Sequence, residues 1–159
     1  MAAIGDVDEA NSALGVAIAA LERGDLAALL TSIQNDLFDL GADIATPGDD
    51  FTPSEMTLRI VQAQIDRIEA AIDTQNATVD PLTSFILPGG SAAAAALHLA
   101  RAIARRAERS LVEASGAVPI NPLATIYMNR LSDLLFICAR TVNKSAGGDV
   151  LWIPGASRE

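Results

Sequence analysis

At 159 residues the chain has the length of one domain with a sizeable core, and a composition half hydrophobic but only 4% aromatic suits helices packed through Ala, Leu and Ile. A net charge of −9 argues against a general nucleic-acid binder, whose phosphate contacts need a basic surface. Every apolar run falls short of the ~20 residues of a membrane span, the start is not a signal peptide, and one cysteine, Cys138, allows neither an internal disulfide nor a cysteine metal cluster; a cytoplasmic protein is expected.

Ile4 to Leu21 reads as the first helix, with Val7, Ala10, Leu14, Ala17 and Leu21 at helical period. Asp6, Asp8, Glu9 and Asn11 crowd its start, where acids suit the positive end of the helix dipole. Capping and solubility are their ordinary reading. A second helix runs from about Leu26 to Ala45, with Leu30, Ile33, Leu37, Leu40 and Ile44 inward. Asp36, Asp39 and Asp43 share a face of it. No helical His or Glu joins them, so a solvated face is expected rather than a metal site. Thr52, Pro53 and Glu55 have the pattern of a capping box with proline at the first helical position. A third helix is therefore expected from there to about Ile72, burying Leu58, Val61, Ile65, Ile68 and Ile72. Asp73 to Ser84 reads as a polar linker. Phe85-Ile86-Leu87 is a short apolar segment with no strand signal elsewhere to pair with it, which suggests a buried or ligand-facing loop.

Pro88 to Glu113 is the stretch around which the rest is organised. It opens on Pro88-Gly89-Gly90 and continues as an alanine-rich helix carrying Arg101, Arg105, Arg106 and Arg109. His98, Arg101, Arg105 and Glu108 fall on one polar stripe; Leu97, Ala100, Ala104, Ala107 and Leu111 form the apolar stripe beside it. Arginine, unlike lysine, holds its charge when desolvated and offers a planar fork to carboxylates and phosphates. A surface or interface ion-pair face is the plain alternative. Asn121 caps the last helix, with Pro122 at its first position. That helix runs to about Asn143, with Ile126, Leu131, Leu134, Leu135 and Cys138 available to the core, and Asn129 and Asp133 on one face beside Arg130 and Arg140. Asp149 to Gly155 is an apolar tail holding the only Trp. The sum is an all-α chain: a five-helix bundle in one domain over 1–159.

No GxxxxGK[ST], GxSxG or HExxH occurs. His98, the sole histidine, follows the alanine run and reads as a satisfied, partly buried side chain rather than a base. With no protein nucleophile in view, the chemistry of an enzyme here would belong to what it binds, and the protein would supply binding and orientation.

The stretches GDVDEANSALG (5–15), IQNDLFDLGADIATP (33–47), FILPGGS (85–91), ALHLARAIARRAER (96–109), NRLSDLLFICAR (129–140) and DVLWIPG (149–155) resemble, in order and spacing, the propanediol-utilisation type of ATP:cob(I)alamin adenosyltransferase. FILPGGS, RAIARRAER and NRLSD together are highly specific. The resemblance implies a five-helix bundle of ferritin-like outline, assembled as a homotrimer with active sites between subunits. It implies transfer of the 5′-deoxyadenosyl group of ATP to the Co(I) ion of cobalamin, with triphosphate released, and Mg²⁺ alongside the triphosphate. Co(I) is then the nucleophile, and no residue set is expected to hold a metal.

By position, Arg101 resembles the family arginine that bridges to an acid of the neighbouring subunit, and Asp8 best matches that acid. Arg105, Glu108 and Asn129 resemble ATP-contacting positions. Arg106, Arg130 and Asp133 lie in the same motifs with less defined roles. Phe85 resembles the aromatic that crowds the lower face of the corrin. Relatives normally carry a T-x-x-G-D-x-G-x-T-like stretch that wraps the triphosphate. None occurs here, so this chain is expected to keep the adenosine side of the site and lack much of the phosphate lid. Two further classes share the fold: a non-catalytic corrinoid carrier or chaperone, and a purely structural trimer. An adenosylcobalamin-dependent enzyme would receive the product. Nucleic acid and membrane are not expected partners.

Overall fold

The computed structural model describes residues 2–158. Five helices follow one another: α1 (Ala2–Ala20), α2 (Asp25–Ala45), α3 (Gln62–Asn76), α4 (Ala92–Ser115) and α5 (Pro122–Lys144). No strand is present among the described residues beyond two isolated bridges. α4 is central, packed against α1 on one side and α5 on the other; α3 covers α5, and α2 covers α1. The apolar stripe of α4 forms the middle of the core: Leu97, Ala100, Ala104, Ala107 and Leu111 are all wholly buried. Three alanines in that stripe let neighbouring helices approach closely, while Leu14, Leu37, Leu131 and Leu134 fill the remaining space.

α5 starts as expected. The Asn121 side chain accepts from the Leu123 N–H at 3.1 Å, and Pro122 occupies the first turn. Two outward residues correct the inward sets: Ile126 is 44% exposed and Leu58 53% exposed. α1 begins earlier than expected, so its acids lie beyond the first turn.

The third helix differs most. It starts at Gln62 and runs to Asn76, taking in part of the expected linker. Thr52 caps nothing: its N–H bonds Asp50 Oδ1, and Ser54 and Thr57 close a turn of their own. The physical reason lies in α2. Asp43 accepts from Arg59 Nη1 at 2.7 Å, the Ile60 N–H at 2.8 Å and Asn121 Nδ2 at 2.7 Å. These distant bonds hold residues 59–60 in a non-helical path and outweigh the local capping signal. The helix then opens where Gln64 Oε1 accepts from the Val61 N–H at 3.0 Å.

The same bonds correct the solvated acid face. Asp43 is 1% exposed and Asp36 6% exposed. Asp36 accepts from Gln64, Arg67 and the Tyr127 hydroxyl, so a buried carboxylate has its lone pairs answered. Burial and the Asp36 charge together push the Tyr127 phenol well above its ordinary range, which keeps it a donor.

The apolar segment before α4 has a partner after all. Trp152 N–H donates to the Phe85 carbonyl at 2.8 Å, and Leu87 N–H to the Val150 carbonyl at 2.7 Å. The tail is thus paired antiparallel to residues 85–87. The turn that follows is clamped by α5: Asn143 accepts from the Ser91 N–H at 3.1 Å and donates to the Gly89 carbonyl at 2.9 Å. Gly90 has φ 105°, and a Cβ there would overlap the Asn143 amide, so both geometry and space require glycine.

Candidate functional site

The polar stripe of α4 faces α5 and opens into two clefts. The first, about 490 Å³, is bordered by Arg101 and Arg105 from α4, Asp133 and Phe136 from α5, and Ile72 and Asn76 from the end of α3. The second, about 470 Å³, is bordered by Phe85 and Ile86 of the paired segment, by Leu82 and Ser84 just before it, and again by Arg101 and Phe136. Arg101 and Phe136 are therefore the seam between a charged cleft and a mainly apolar one.

The Arg101 guanidinium carbon lies 5.8 Å from the centre of the Phe136 ring. Its Nε is buried without a hydrogen-bond partner. Burial first, and the neighbouring Arg105 charge second, lower its pKa, but from a starting point so high that the guanidinium stays charged. Arg105 is exposed at the mouth of the first cleft. One turn on, Glu108 Oε1 accepts from Asn129 Nδ2 at 2.9 Å, tying α4 to α5. Of the residues singled out from sequence, Arg101, Arg105 and Asp133 border the first cleft, and Glu108 and Asn129 form their cross-helix pair nearby. Phe85 borders the second cleft, 75% exposed, with its ring 5.9 Å from Trp152. In the single chain it is a surface aromatic.

Three residues stand elsewhere. Arg106 turns to α1 and pairs with Asp6 and Glu9, which gives those acids a role besides solubility. Arg130 pairs with Asp133 one turn on, 3.3 Å apart and half-exposed. Asp8 is exposed in a separate cleft between α1 and α2, walled by Ile4, Val7, Leu37 and Phe38. Within one chain it borders neither arginine cleft, and among the described residues it makes no ion pair.

His98 is buried, yet neither ring nitrogen has a partner, which corrects the satisfied histidine of the sequence reading. Its ring meets Phe136 edge-to-face, centroids 6.2 Å apart. Burial, then the Arg101 charge, lower its pKa, and Asp149 works weakly the other way; the ring is neutral. Cys138 is buried on α5 with its thiol pushed up to about 12 by desolvation, so it is no nucleophile. Sequence reasoning missed Phe136. The signal was available: Asn129, Asp133 and Phe136 fall at i, i+4 and i+7, one face of α5.

Comparison with known proteins bears on this arrangement. The cobalamin adenosyltransferase family model matches residues 1–142. A corrinoid adenosyltransferase of Mycobacterium leprae (strain TN) is 51% identical over 161 residues, spanning 98% of this chain and 83% of that protein. A cobalamin adenosyltransferase of Cupriavidus metallidurans is 45% identical over 152 residues, spanning 94% of this chain and 78% of that protein. Among solved structures, a variant PduO-type ATP:corrinoid adenosyltransferase from Lactobacillus reuteri, complexed with cobalamin and ATP, superposes with a TM-score of 0.86 at 39% identity, covering 95% of this chain and 84% of that one. Another variant of the same enzyme, complexed with ATP, gives 0.86 at 37% identity, covering 96% and 86%.

Proposed function

Because the chain belongs to the cobalamin adenosyltransferase family, we propose that it transfers the 5′-deoxyadenosyl group of ATP to the Co(I) ion of a corrinoid, releasing triphosphate. The observation that carries the reading is the pair of clefts sharing Arg101 and Phe136, one lined by arginine and the other by apolar side chains. The charged cleft suits the nucleotide. The apolar cleft, floored by Phe85, suits the corrin face.

In the transfer, the electron pair on cobalt forms the bond to ribose C5′, and the C5′–O bond breaks with its pair leaving on triphosphate. The negative charge gathered on the departing oxygens is what fixed guanidinium groups stabilise. Arg105 acts at the phosphates, where a planar fork binds two oxygens at once. Glu108, oriented by Asn129, keeps one carboxylate oxygen for a ribose hydroxyl. Asp133 limits the spread of Arg130 and helps set the polarity of the cleft wall. Phe85, exposed and held by backbone bonds to the tail, supplies an apolar wedge at the lower face of the corrin. Excluding the axial base leaves cobalt four-coordinate and easier to reduce.

Among the described residues no group of three acidic, His or Cys side chains could hold a metal ion by itself. Mg²⁺ fits this chain as the nucleotide complex, held by phosphate oxygens and water. Asp8 and Arg101 lie on different faces of one chain, which supports a homotrimer in which Asp8 of one subunit meets Arg101 of the next. The product goes to an adenosylcobalamin-dependent enzyme. No helix is long and apolar enough to cross a membrane, and a cytoplasmic location is part of the same proposal.

The test is adenosylcobalamin absorbance after mixing the protein with ATP and chemically reduced cobalamin. Corrinoid binding without turnover would replace the reading with a carrier on the same fold; no corrinoid binding would remove both.

A further inference from the structure

Four residues of the apolar cleft wall, Leu82, Ser84, Phe85 and Ile86, lie outside the helices. One α5 side chain reaches the chain on both sides of them. Arg140 is buried; it donates from Nε to Asp149 Oδ2 at 2.9 Å and from Nη2 to the Asp80 carbonyl at 2.7 Å. Asp80 leads into Leu82 and Ser84. Asp149 leads into Val150 and Trp152, whose backbone bonds hold Leu87 and Phe85. Ser84 Oγ donates to the Trp152 carbonyl at 3.2 Å and joins the two stretches. One turn further along α5, Asn143 grips the turn after Leu87 through Ser91 and Gly89. The segment carrying Phe85 is thus fixed to α5 at both ends: directly at its turn, and by way of the tail at Phe85 itself. A guanidinium suits the second anchor, because its planar fork reaches two acceptors at once and stays charged when buried. Without the carboxylate, that buried charge would lose its counter-ion.

We propose that Arg140 and Asp149 are positioning residues for the reaction at cobalt: their ion pair anchors the tail to α5 and so sets where the Phe85 ring stands in the apolar cleft. The inference rests on the adenosyltransferase reading and on Phe85 as the wedge at the lower corrin face. Arg140 and Asp149 line a separate hollow of about 280 Å³ behind that wall, with Val79 and Lys144, so they act through Phe85. A wedge excludes an axial ligand only while it stays in contact with the corrin. With the ion pair cut, two ladder bonds are left to hold the tail and the Phe85 segment together, and a two-stranded pairing by itself is marginal in water. ATP belongs to the other cleft, so its KM holds and the loss appears where cobalt must be kept four-coordinate.

The experiment compares the parent with Asp149→Ala, Asp149→Asn and Phe85→Ala in the full chain. Trp152, the only tryptophan, sits in the tail with its ring 5.9 Å from that of Phe85, so its fluorescence reads the anchor without any ligand. Electron paramagnetic resonance of cob(II)alamin with ATP reads the wedge, and the ATP KM with cob(I)alamin supplied ready-made reads the rest of the site. The expected result for Asp149→Ala is Trp152 emission shifted to the red with stronger acrylamide quenching, and a four-coordinate Co(II) signal reduced toward that of Phe85→Ala. Turnover from Co(II) with a weak reductant falls by about ten-fold or more, on the order of the loss a small misplacement brings. The ATP KM and the rate from cob(I)alamin stay near the parent's. Asp149→Asn, which keeps an acceptor for Arg140 Nε, retains most of the signal. Asp149→Ser, too short to reach Arg140, serves if Asp149→Ala does not fold. An alanine variant with the parent's Trp152 emission and quenching, with an undiminished four-coordinate signal, or with equal losses from Co(II) and Co(I) overturns the inference. A parent protein that forms no adenosylcobalamin, or a Phe85→Ala variant with the full four-coordinate signal, refutes the reading beneath it, while Trp152 still decides whether the ion pair holds the tail.

Discussion

The Arg59 guanidinium donates to Asp43 Oδ1 at 2.7 Å with side chains only 4% and 0% exposed, and so fastens the segment before α3 to the end of α2. Arg59 also donates to the carbonyls of Asp43, Thr46 and Asp50. The carboxylate in turn gathers the Ile60 N–H and the Asn121 amide. Removing the carboxylate leaves the buried Arg59 charge unpaired and the Ile60 N–H without an acceptor, and takes one of two acceptors from the Asn121 amide, whereas removing the arginine leaves Asp43 two of its bonds. Asp43→Ala is therefore expected to lose ~3–5 kcal/mol, the range for breaking a buried pair, and Arg59→Met less. Urea unfolding at one fixed protein concentration measures both; equal losses would contradict the shared-carboxylate account.

That cluster also marks how far sequence reasoning reaches. α4, the Asn121–Pro122 cap and the apolar sets of α1 and α2 follow from period and local capping, which are properties of neighbouring residues. The start of α3 does not, because it is decided by Arg59 meeting a carboxylate sixteen positions earlier. Asp36 looks like part of a solvated stripe until Tyr127, 91 residues away, closes over it. The 85–87 segment lacks a visible partner because its partner is the tail. At the site, Arg101, Arg105 and Asp133 were legible as arginine spacing and motif, while Phe136 passed as one more apolar residue of a helix whose other apolar residues are core.

Arg105 lines the first cleft, the one proposed for the nucleotide, from an exposed position, so its removal should spare the fold. Arg105→Ala is expected to lower kcat by about 10²-fold or more, as loss of a fixed charge-stabilising donor does, with an unchanged melting temperature. Steady-state kinetics with cob(I)alamin and varied ATP checks this; turnover at the parent rate with normal ATP affinity would exclude Arg105 from phosphate contact.

Asp8 and Arg101 should depend on one another only in the assembled protein. Asp8→Ala and Arg101→Ala are each expected to weaken the trimer and activity, and mixing the two inactive variants should restore some sites in mixed trimers. Sedimentation of each variant, and activity of the mixture, are the measurements. Fully active, unaltered trimers of Arg101→Ala would sink the pairing.

His98 gives the molecule an acid limb of stability. Its folded pKa lies below the ordinary 6.5 because of burial first and the Arg101 charge second. The unfolded chain then binds a proton that the native state does not, so stability is full above the ordinary value and falls as pH drops through it. His98→Leu removes both orphaned nitrogens and this proton. Between about pH 7.5 and pH 5.5 its melting temperature should fall less than the parent's. Parallel melting curves for the two proteins would place the acid limb elsewhere.

Phe85 separates a structural role from one at cobalt. A buried Phe cut back to Ala loses ~3–5 kcal/mol, but this ring is 75% exposed, and its segment is held through backbone bonds to Val150 and Trp152 that the substitution leaves in place. Phe85→Ala should therefore melt close to the parent and bind ATP normally. Its defect should appear at the corrinoid. With the wedge gone, the lower axial base or water can reach Co(II), and the four-coordinate species loses population. Activity should fall most when the reaction starts from Co(II) with a weak reductant, and least when Co(I) is supplied. Electron paramagnetic resonance of cob(II)alamin with ATP and the variant reads the coordination directly. An undiminished four-coordinate signal would leave Phe85 as a surface aromatic packed on Trp152 and nothing more.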